Sequence, residues 1–110
     1  MFAVIYRGHV KPSKEEDFQK SWNVVATFFV EKRGALGSSL HQSEEGMWVA
    51  YSRWPNRETR DASWPKEEEE VNGSFPPDVK EAVETLRNCF EDEMPQICME
   101  LKDEVKASNA

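Results

Sequence analysis

The sequence has few of the residues from which metal and redox sites are built. It contains two cysteines and two histidines among 110 residues. Cys89 and Cys98 do not have the spacing of a CxxC motif or a zinc site. We therefore expect two free, buried thiols, as in proteins of a reducing compartment, and no bound metal. The sequence also lacks a Gly-rich phosphate loop and a nucleophile elbow, which removes the common nucleotide-binding and acyl-transfer motifs.

Long apolar runs and excess positive charge are absent as well. No apolar segment approaches the ~20 residues that span a bilayer. The first ten residues are basic only at Arg7, so they lack the charged start and the cleavage site of a signal peptide. Fourteen Lys and Arg against 21 Asp and Glu give a formal net charge of -7, with an acidic run at residues 67–70. Because such a surface repels nucleic acid and anionic lipid, we expect neither as a partner. Since the sequence shows neither a membrane span nor a signal peptide, we expect a cytoplasmic protein.

The length and the polar end of the chain predict one domain. A chain of 110 residues can bury one core but not two. We predict a single domain over residues 1–105, followed by a frayed tail of small and polar residues at 106–110.

Hydrophobic periodicity predicts a strand and a long helix at the start of the chain. Residues 2–10 alternate as a strand that is largely apolar on both faces. Residues 14–33 have helical periodicity, with a proposed capping box at Ser13 and Glu16 and a buried row of side chains. That row consists of Phe18, Trp22, Val25 and Phe29.

A hairpin and a short helix are predicted next. Segments 36–42 and 47–54 are strands joined by the polar turn 43–46. Pro55 ends the second strand, Asn56 is a suitable N-cap, and residues 57–64 form a short helix that Pro65 stops. A polar surface loop is predicted over residues 65–77.

The last part is predicted as a helix and a strand. Asp78 and Glu81 suggest a capping box, and the helix continues toward Pro95. Its buried residues are predicted to be Val79, Val83, Leu86 and Phe90. Residues 96–101 alternate as the final strand.

The element order is βαββαβ, which predicts an α+β, ferredoxin-like fold with an antiparallel four-stranded sheet and helices on one face. The other face would leave large side chains such as Phe2, Tyr6 and Met47 in water, forfeiting ~1.5–3 kcal/mol each. We therefore expect a homodimer in which two helix-free sheet faces pair.

The run VAYSRWPNRETRDASW at residues 49–64, with the hairpin before it, resembles the antibiotic-biosynthesis-monooxygenase-like family of the dimeric α+β barrel superfamily. The resemblance extends over about residues 2–64. It implies ferredoxin-like subunits whose sheets pair into a barrel, with a pocket between sheet and helices. The family includes cofactor-independent oxygenases of aromatic substrates and haem-degrading enzymes.

The haem-degrading branch is disfavoured because this sequence lacks two of the three residues that characterise the pocket of that branch. In that branch the pocket carries an Asn on the first strand, a Trp at the end of the short helix and a His about ten residues later. Trp64 matches the second of these. The other two positions fall near Arg7 and Ser74, and no histidine follows His41. Since haem iron needs an axial ligand, we expect neither haem nor any other cofactor.

The oxygenase branch implies a phenolic substrate whose anion reacts directly with oxygen. Such chemistry requires an apolar cavity, a proton acceptor and a cation or donor that holds the anion. On this resemblance we predict that Arg7 and His41 are catalytic, with His9 as an alternative base. Trp22, Trp64 and His9 are predicted to contact the substrate.

Each of these residues also has a purely structural explanation. Arg7 can extend from the sheet edge or pair with a carboxylate, Trp22 can be a core residue, and both histidines can be solvated. The resemblance thus implies a metal-free monooxygenase of a small aromatic molecule. A non-catalytic dimeric α+β barrel that binds a small molecule, or serves only as structure, is the alternative.

Overall fold

The computed structural model describes residues 1–64 and 75–107. The predicted acidic run at 67–70, most of the predicted loop at 65–77, and the last three residues of the predicted tail lie outside these ranges. None of the helices in the described ranges has the length and apolar character needed to cross a membrane.

The described elements follow the predicted order. Along the chain they are β1 (Phe2–Val10), α1 (Glu15–Lys32), β2 (Gly37–Gln42), β3 (Trp48–Trp54), α2 (Arg57–Ser63), α3 (Pro77–Cys89) and β4 (Phe90–Glu100). A short 3-10 turn, Pro12–Lys14, precedes α1. The strands form one antiparallel sheet in the order β2-β3-β1-β4. This confirms the ferredoxin-like α+β fold.

The main core lies between the sheet and the helices. Phe2 and Val4 of β1 are fully buried, and Trp54 of β3 is 1% exposed. They pack with residues of α1 and α3 such as Phe29 and Val83. Because side chains alternate along a strand, Tyr6 lies on the same face as Phe2 and Val4. Phe2 and Tyr6 therefore face the helices, which corrects the expectation that both lie on the uncovered face.

The opposite side of the sheet is here called the helix-free face. It carries Ala3, Ile5, Arg7 and His9 of β1, as the alternation and the register require. Their cross-strand neighbours on this face are Val49, Tyr51, Arg53, Ile97 and Met99. Ile97 is 37% exposed. This face is more apolar than a solvated sheet surface usually is.

The helix termini differ from the predicted capping boxes. Ser13 belongs to the 3-10 turn, and Lys14, without a side-chain capping bond, precedes α1. Helix α3 begins at Pro77, so Asp78 lies inside its first turn, where its charge favours the helix dipole instead of capping it. At α2 the prediction is confirmed, since the side chain of Asn56 accepts a hydrogen bond from the amide of Thr59 at 2.8 Å.

The start of the last strand also corrects the prediction. Residues 90–95 belong to β4 and not to a helix, because Phe90, Asp92, Glu93 and Met94 pair with β1. Pro95 is tolerated there because β4 is an edge strand and an irregularity interrupts the pairing at this point. Both cysteines are free, but only Cys89 is buried; Cys98 is exposed, contrary to expectation.

Candidate functional site

A cavity of about 330 Å³ lies between the sheet and the helices. Every helix and strand in the described part of the chain contributes to its walls. The lining is mostly aromatic and aliphatic, with side chains that include Phe18, Trp22, Phe29, Trp48, Trp54, Trp64 and Leu86. Its volume and apolar lining are those of a site for a small organic molecule.

Aromatic rings in tilted and edge-on contact form one wall of this cavity. The ring centroids of Phe29 and Trp64 are 4.7 Å apart, and those of Phe29 and Trp54 are 5.9 Å apart. Phe75, which follows the segment outside the described ranges, packs edge-on against Trp64 at 5.8 Å. Because each ring is held by its neighbours, this wall offers a fixed aromatic surface to a ligand.

One charged side chain, Arg60 of α2, is held at the polar end of the cavity. Its side chain is only 13% exposed. Nη2 donates to the hydroxyl oxygen of Tyr6 at 3.2 Å and also to Oε1 of Gln96. Nη1 lies 3.2 Å from Oδ1 of Asp61. Contacts with residues of α2, β1 and β4 therefore hold the guanidinium in place.

The environment keeps Arg60 charged. Burial lowers the pKa of its guanidinium, but the hydrogen bond with Tyr6 and the contact with Asp61 raise it by more, so the net shift is upward. The cavity, whose lining also includes Arg87 and Glu93, thus contains a permanent positive charge among mostly apolar side chains. A positive charge in low-polarity surroundings attracts an anion more strongly than one in water does.

Local sequence explains how Arg60 reaches this position. Asn56 caps the first turn of α2, and Arg60 follows one turn later. At the other end, the hydroxyl of Ser63 donates to the carbonyl of Thr59 at 2.7 Å, and its oxygen lies 3.1 Å from the carbonyl oxygen of Arg33. Arg33 in turn donates from Nη1 to the carbonyl of Ser63 at 3.3 Å. Both ends of α2 are therefore fixed, and with them the direction of the Arg60 side chain.

A bulge in β4 places Gln96 opposite this guanidinium. Ile5 pairs with Ile97, whereas Arg7 pairs with Met94, so two residues of β4 oppose Tyr6 alone. Such an extra residue bends the strand and changes where its side chains point. The bulge explains why Gln96 and Tyr6 share one hydrogen-bonding partner.

The structure brings together only part of the predicted site. Trp22 and Trp64 both line the cavity, as expected. Arg7, His9 and His41 do not line it, because they lie on the helix-free face. The structure therefore does not bring Arg7, His9 and His41 together with Trp22 and Trp64 in one cavity. The catalytic roles of Arg7 and His41, and the substrate contact of His9, stay predictions.

The three residues of the helix-free face have local partners there. Arg7 donates to the carbonyl of Pro95 at 3.4 Å. His9 Nδ1 lies 2.8 Å from Oδ1 of Asp92, and His41 Nε2 lies 3.1 Å from the hydroxyl of Ser39. The His9 contact lowers the pKa of the Asp92 carboxyl.

Arg60, Tyr6 and Gln96 were not identified from the sequence. A signal for Arg60 exists, since it precedes Trp64 by four residues and side chains at that spacing share one face of a helix. Tyr6 shares the alternation of the buried residues Phe2 and Val4. Gln96 has no such signal, because its position depends on the bulge.

A surface groove lies beside the cavity, between α1 and the β2–β3 hairpin. Its polar lining includes Glu16, Lys20 and Asn23. Trp22 and Trp48 line both the groove and the cavity. These two indoles therefore separate the apolar interior from the outer surface at this point.

Comparison with solved structures identifies the fold. The chain is similar to a variant of SnoaB, a cofactor-independent oxygenase from Streptomyces nogalater. The two share 14% sequence identity over 96% of this chain and 97% of that chain, and the TM-score is 0.71. An antibiotic biosynthesis monooxygenase gives 15% identity over 94% and 100% of the two chains and a TM-score of 0.69. A conserved protein from Methanosarcina mazei gives 16% identity, 92% coverage of both chains and a TM-score of 0.70.

Sequence comparison adds no relative. No family model matches the chain, and a search of curated proteins gives no match. The fold is thus the one found in antibiotic biosynthesis monooxygenases.

Proposed function

We propose that this protein is a monooxygenase that oxidises a small, electron-rich aromatic molecule, such as a polycyclic phenol, without metal or flavin. The observation that carries the proposal is the guanidinium of Arg60, which is held at 13% exposure in a cavity with a mostly apolar lining. Similarity in fold to SnoaB, a cofactor-independent oxygenase, supports the same reaction class.

The cavity supplies the groups that this chemistry requires. The aromatic wall formed by Phe29, Trp54 and Trp64 holds the flat ring system. Arg60 stabilises the phenolate oxygen, so the substrate loses its proton more readily inside the cavity than in water. Glu93, which also lines the cavity, is the carboxylate that accepts the proton.

The oxidation balances without another reactant. A substrate carbon bearing two hydrogens, conjugated to the phenolate, loses one proton and the resulting anion adds dioxygen. Uptake of a proton gives a hydroperoxide on that carbon, and loss of water leaves a carbonyl. One dioxygen is consumed for each carbonyl formed, and its second oxygen atom leaves as water.

The proposal is tested by oxygen uptake. Purified protein is mixed with anthrone, which carries such a methylene carbon, in an oxygen electrode, and products made under ¹⁸O₂ are analysed by mass spectrometry. The proposal predicts protein-dependent uptake and one labelled oxygen atom in each product. Compounds that bind in the cavity and yet take up oxygen no faster than in protein-free buffer would assign the cavity to ligand binding alone.

We also propose that two copies pair through the helix-free face. Ile5, Tyr51, Ile97 and Met99 cluster there on three adjacent strands, and burying them against a second copy removes apolar surface from water. Light scattering is expected to give twice the 12.7 kDa of one chain. Ile97→Glu should give monomers, whereas Leu36→Glu, at an exposed apolar residue outside this face, should leave the dimer intact. A wild-type monomer at micromolar concentration would refute the pairing.

A further inference from the structure

Arg7 contacts the bulge of β4 from the helix-free face. Its Nη2 donates to the carbonyl oxygen of Pro95 at 3.4 Å. Pro95 and Gln96 are the two residues of β4 that oppose Tyr6 in the bulge. Because a bulge interrupts the ladder of hydrogen bonds between two strands, the backbone groups of its residues need partners of another kind. Arg7 supplies such a partner for Pro95.

The side chain of Arg7 lies against the sheet. The residue is half-buried, and its Nε is buried without an acceptor among residues 1–64 and 75–107. A long cationic side chain on a protein surface usually extends its charged end into water. Here the guanidinium reaches across to the outer strand. A buried donor without an acceptor costs free energy, and the bond to Pro95 offsets part of that cost.

The contacts of Arg7 and Arg60 form a closed circuit through the sheet. Tyr6 and Arg7 are consecutive in β1 and point to opposite faces, and Pro95 and Gln96 are consecutive in β4. On the helix side, Arg60 donates to Tyr6 and to Gln96. On the helix-free side, Arg7 donates to Pro95. The two arginines therefore hold the same bulge from opposite faces of the sheet.

We propose that Arg7 is a positioning residue, which fixes the bulge of β4 and so keeps Gln96 in contact with Arg60. Arg7 does not line the cavity, so it acts on a substrate only through these two residues. Its effect on catalysis rests on the proposed function, in which Arg60 stabilises the phenolate. Its effect on the position of Gln96 is independent of that function.

The side-chain amide of Gln96 reports the position of the bulge. Its ¹H–¹⁵N NMR signals are assigned by their absence from the spectrum of Gln96→Leu. Arg7→Met keeps a long side chain but removes its hydrogen-bond donors, and should therefore shift these signals. Unmoved Gln96 signals in Arg7→Met would overturn the proposal.

Arg53→Met is the matched control. Arg53 lies on the same face as Arg7, but the end of its side chain lies over Gly37 of β2 and not over the bulge. Arg53→Met should therefore leave the Gln96 signals in place. Both arginines belong to the face that is proposed to pair with a second copy, so a change in pairing alone would move the signals in both variants. Equal shifts in the two variants would refute the role of Arg7.

Arg7→Lys separates the hydrogen bond from a general loss of structure. Lysine keeps a charged donor on a long side chain, so the Gln96 signals should return close to their wild-type positions. A shift as large in Arg7→Lys as in Arg7→Met would refute the hydrogen bond as the means of positioning.

The wild-type protein decides the matter if Arg7→Met does not fold. A guanidinium held by an acceptor rotates slowly about its Cζ–Nη bonds, so Arg7 should give separate Nη signals at low temperature. These signals are assigned by their absence from the spectrum of Arg7→Lys. A single averaged signal from a freely rotating guanidinium would overturn the proposal.

Kinetics with anthrone give the functional readout. Arg7→Met should lower kcat and kcat/KM together by about tenfold, as loss of a hydrogen bond that matters in the transition state does. Arg53→Met should stay within about twofold of the wild type, and Arg7→Lys should recover most of the rate. Equal rates for Arg7→Met and Arg53→Met would refute the positioning role.

The outcomes distinguish this proposal from the oxidation. Gln96 signals that respond to Arg7→Met in a protein that takes up no oxygen would refute the oxidation and leave the hold of Arg7 on the bulge standing. Oxygen uptake with unmoved Gln96 signals would refute only the role of Arg7.

Discussion

Arg60 donates from Nη2 to the hydroxyl oxygen of Tyr6 across 3.2 Å, between residues 54 positions apart in the sequence. The bond joins the short helix α2 to β1, an interior strand of the sheet. Because Tyr6 accepts it, the phenol keeps its own hydrogen for a ligand. The same contact that holds α2 in place therefore also prepares the polar end of the cavity.

The position of Arg60 depends on the Asn56 cap of α2. We expect Asn56→Ala to lower the free energy of unfolding by about 1 kcal/mol, because the amide of Thr59 loses its acceptor. Urea unfolding measures this change. Asn56→Ser keeps a capping oxygen and should recover most of the loss. Equal losses in Asn56→Ala and Asn56→Ser would show that the cap is not what stabilises this turn.

Gly8 permits a close approach between β1 and β4. A Cβ at this position would lie 2.6 Å from the carbonyl oxygen of Asp92 and 2.8 Å from the ring of Phe90. We expect Gly8→Ala to destabilise the protein by about 1–3 kcal/mol, as overpacking does.

Gly37 provides the matched control. A Cβ there would meet only the end of the flexible Arg53 side chain, so Gly37→Ala should cost far less in thermal unfolding. Equal costs for the two variants would contradict the close contact at Gly8.

The pairing of His9 with Asp92 predicts an acid-dependent change in stability. The hydrogen bonds from His9 lower the pKa of the Asp92 carboxyl in the folded protein. The associated stabilisation is therefore present above the ordinary pKa of an aspartate and is lost as pH falls through the lower folded-state pKa. In a carboxyl ¹³C titration, Asp92 should protonate at lower pH in the wild type than in His9→Ala. An unchanged midpoint would contradict this pairing.

The order of elements could be predicted because each depends on local sequence. The alternation in β1, the polar turn before β3, the Asn56 cap and the apolar row of α1 are properties of neighbouring residues. Trp22 belongs to that apolar row, whereas Trp64 was placed in the cavity by the resemblance to a known family and by its position at the end of the short helix.

The polar part of the site depends on tertiary structure, and the sequence does not define it. Both faces of β1 are apolar, so alternation alone does not show whether Tyr6 or Arg7 meets the helices. Arg60 lies in a short helix with other charged residues, where a solvated side chain is the usual outcome. Residues 90–95 are acidic enough to suit a helix, and only pairing with β1 makes them a strand.

Oxygen uptake by wild-type protein, Arg60→Gln and Arg57→Gln, measured side by side with a phenolic substrate, tests the central claim most directly. Both arginines belong to α2, but Arg57 lies over the ring of Phe2 and does not line the cavity. If Arg60 stabilises the phenolate, Arg60→Gln should lower kcat/KM about 100-fold or more, as loss of an anion-stabilising group does. Arg57→Gln should stay within about twofold of the wild type, as a surface substitution away from the site does. Equal rates for Arg60→Gln and Arg57→Gln would contradict the account.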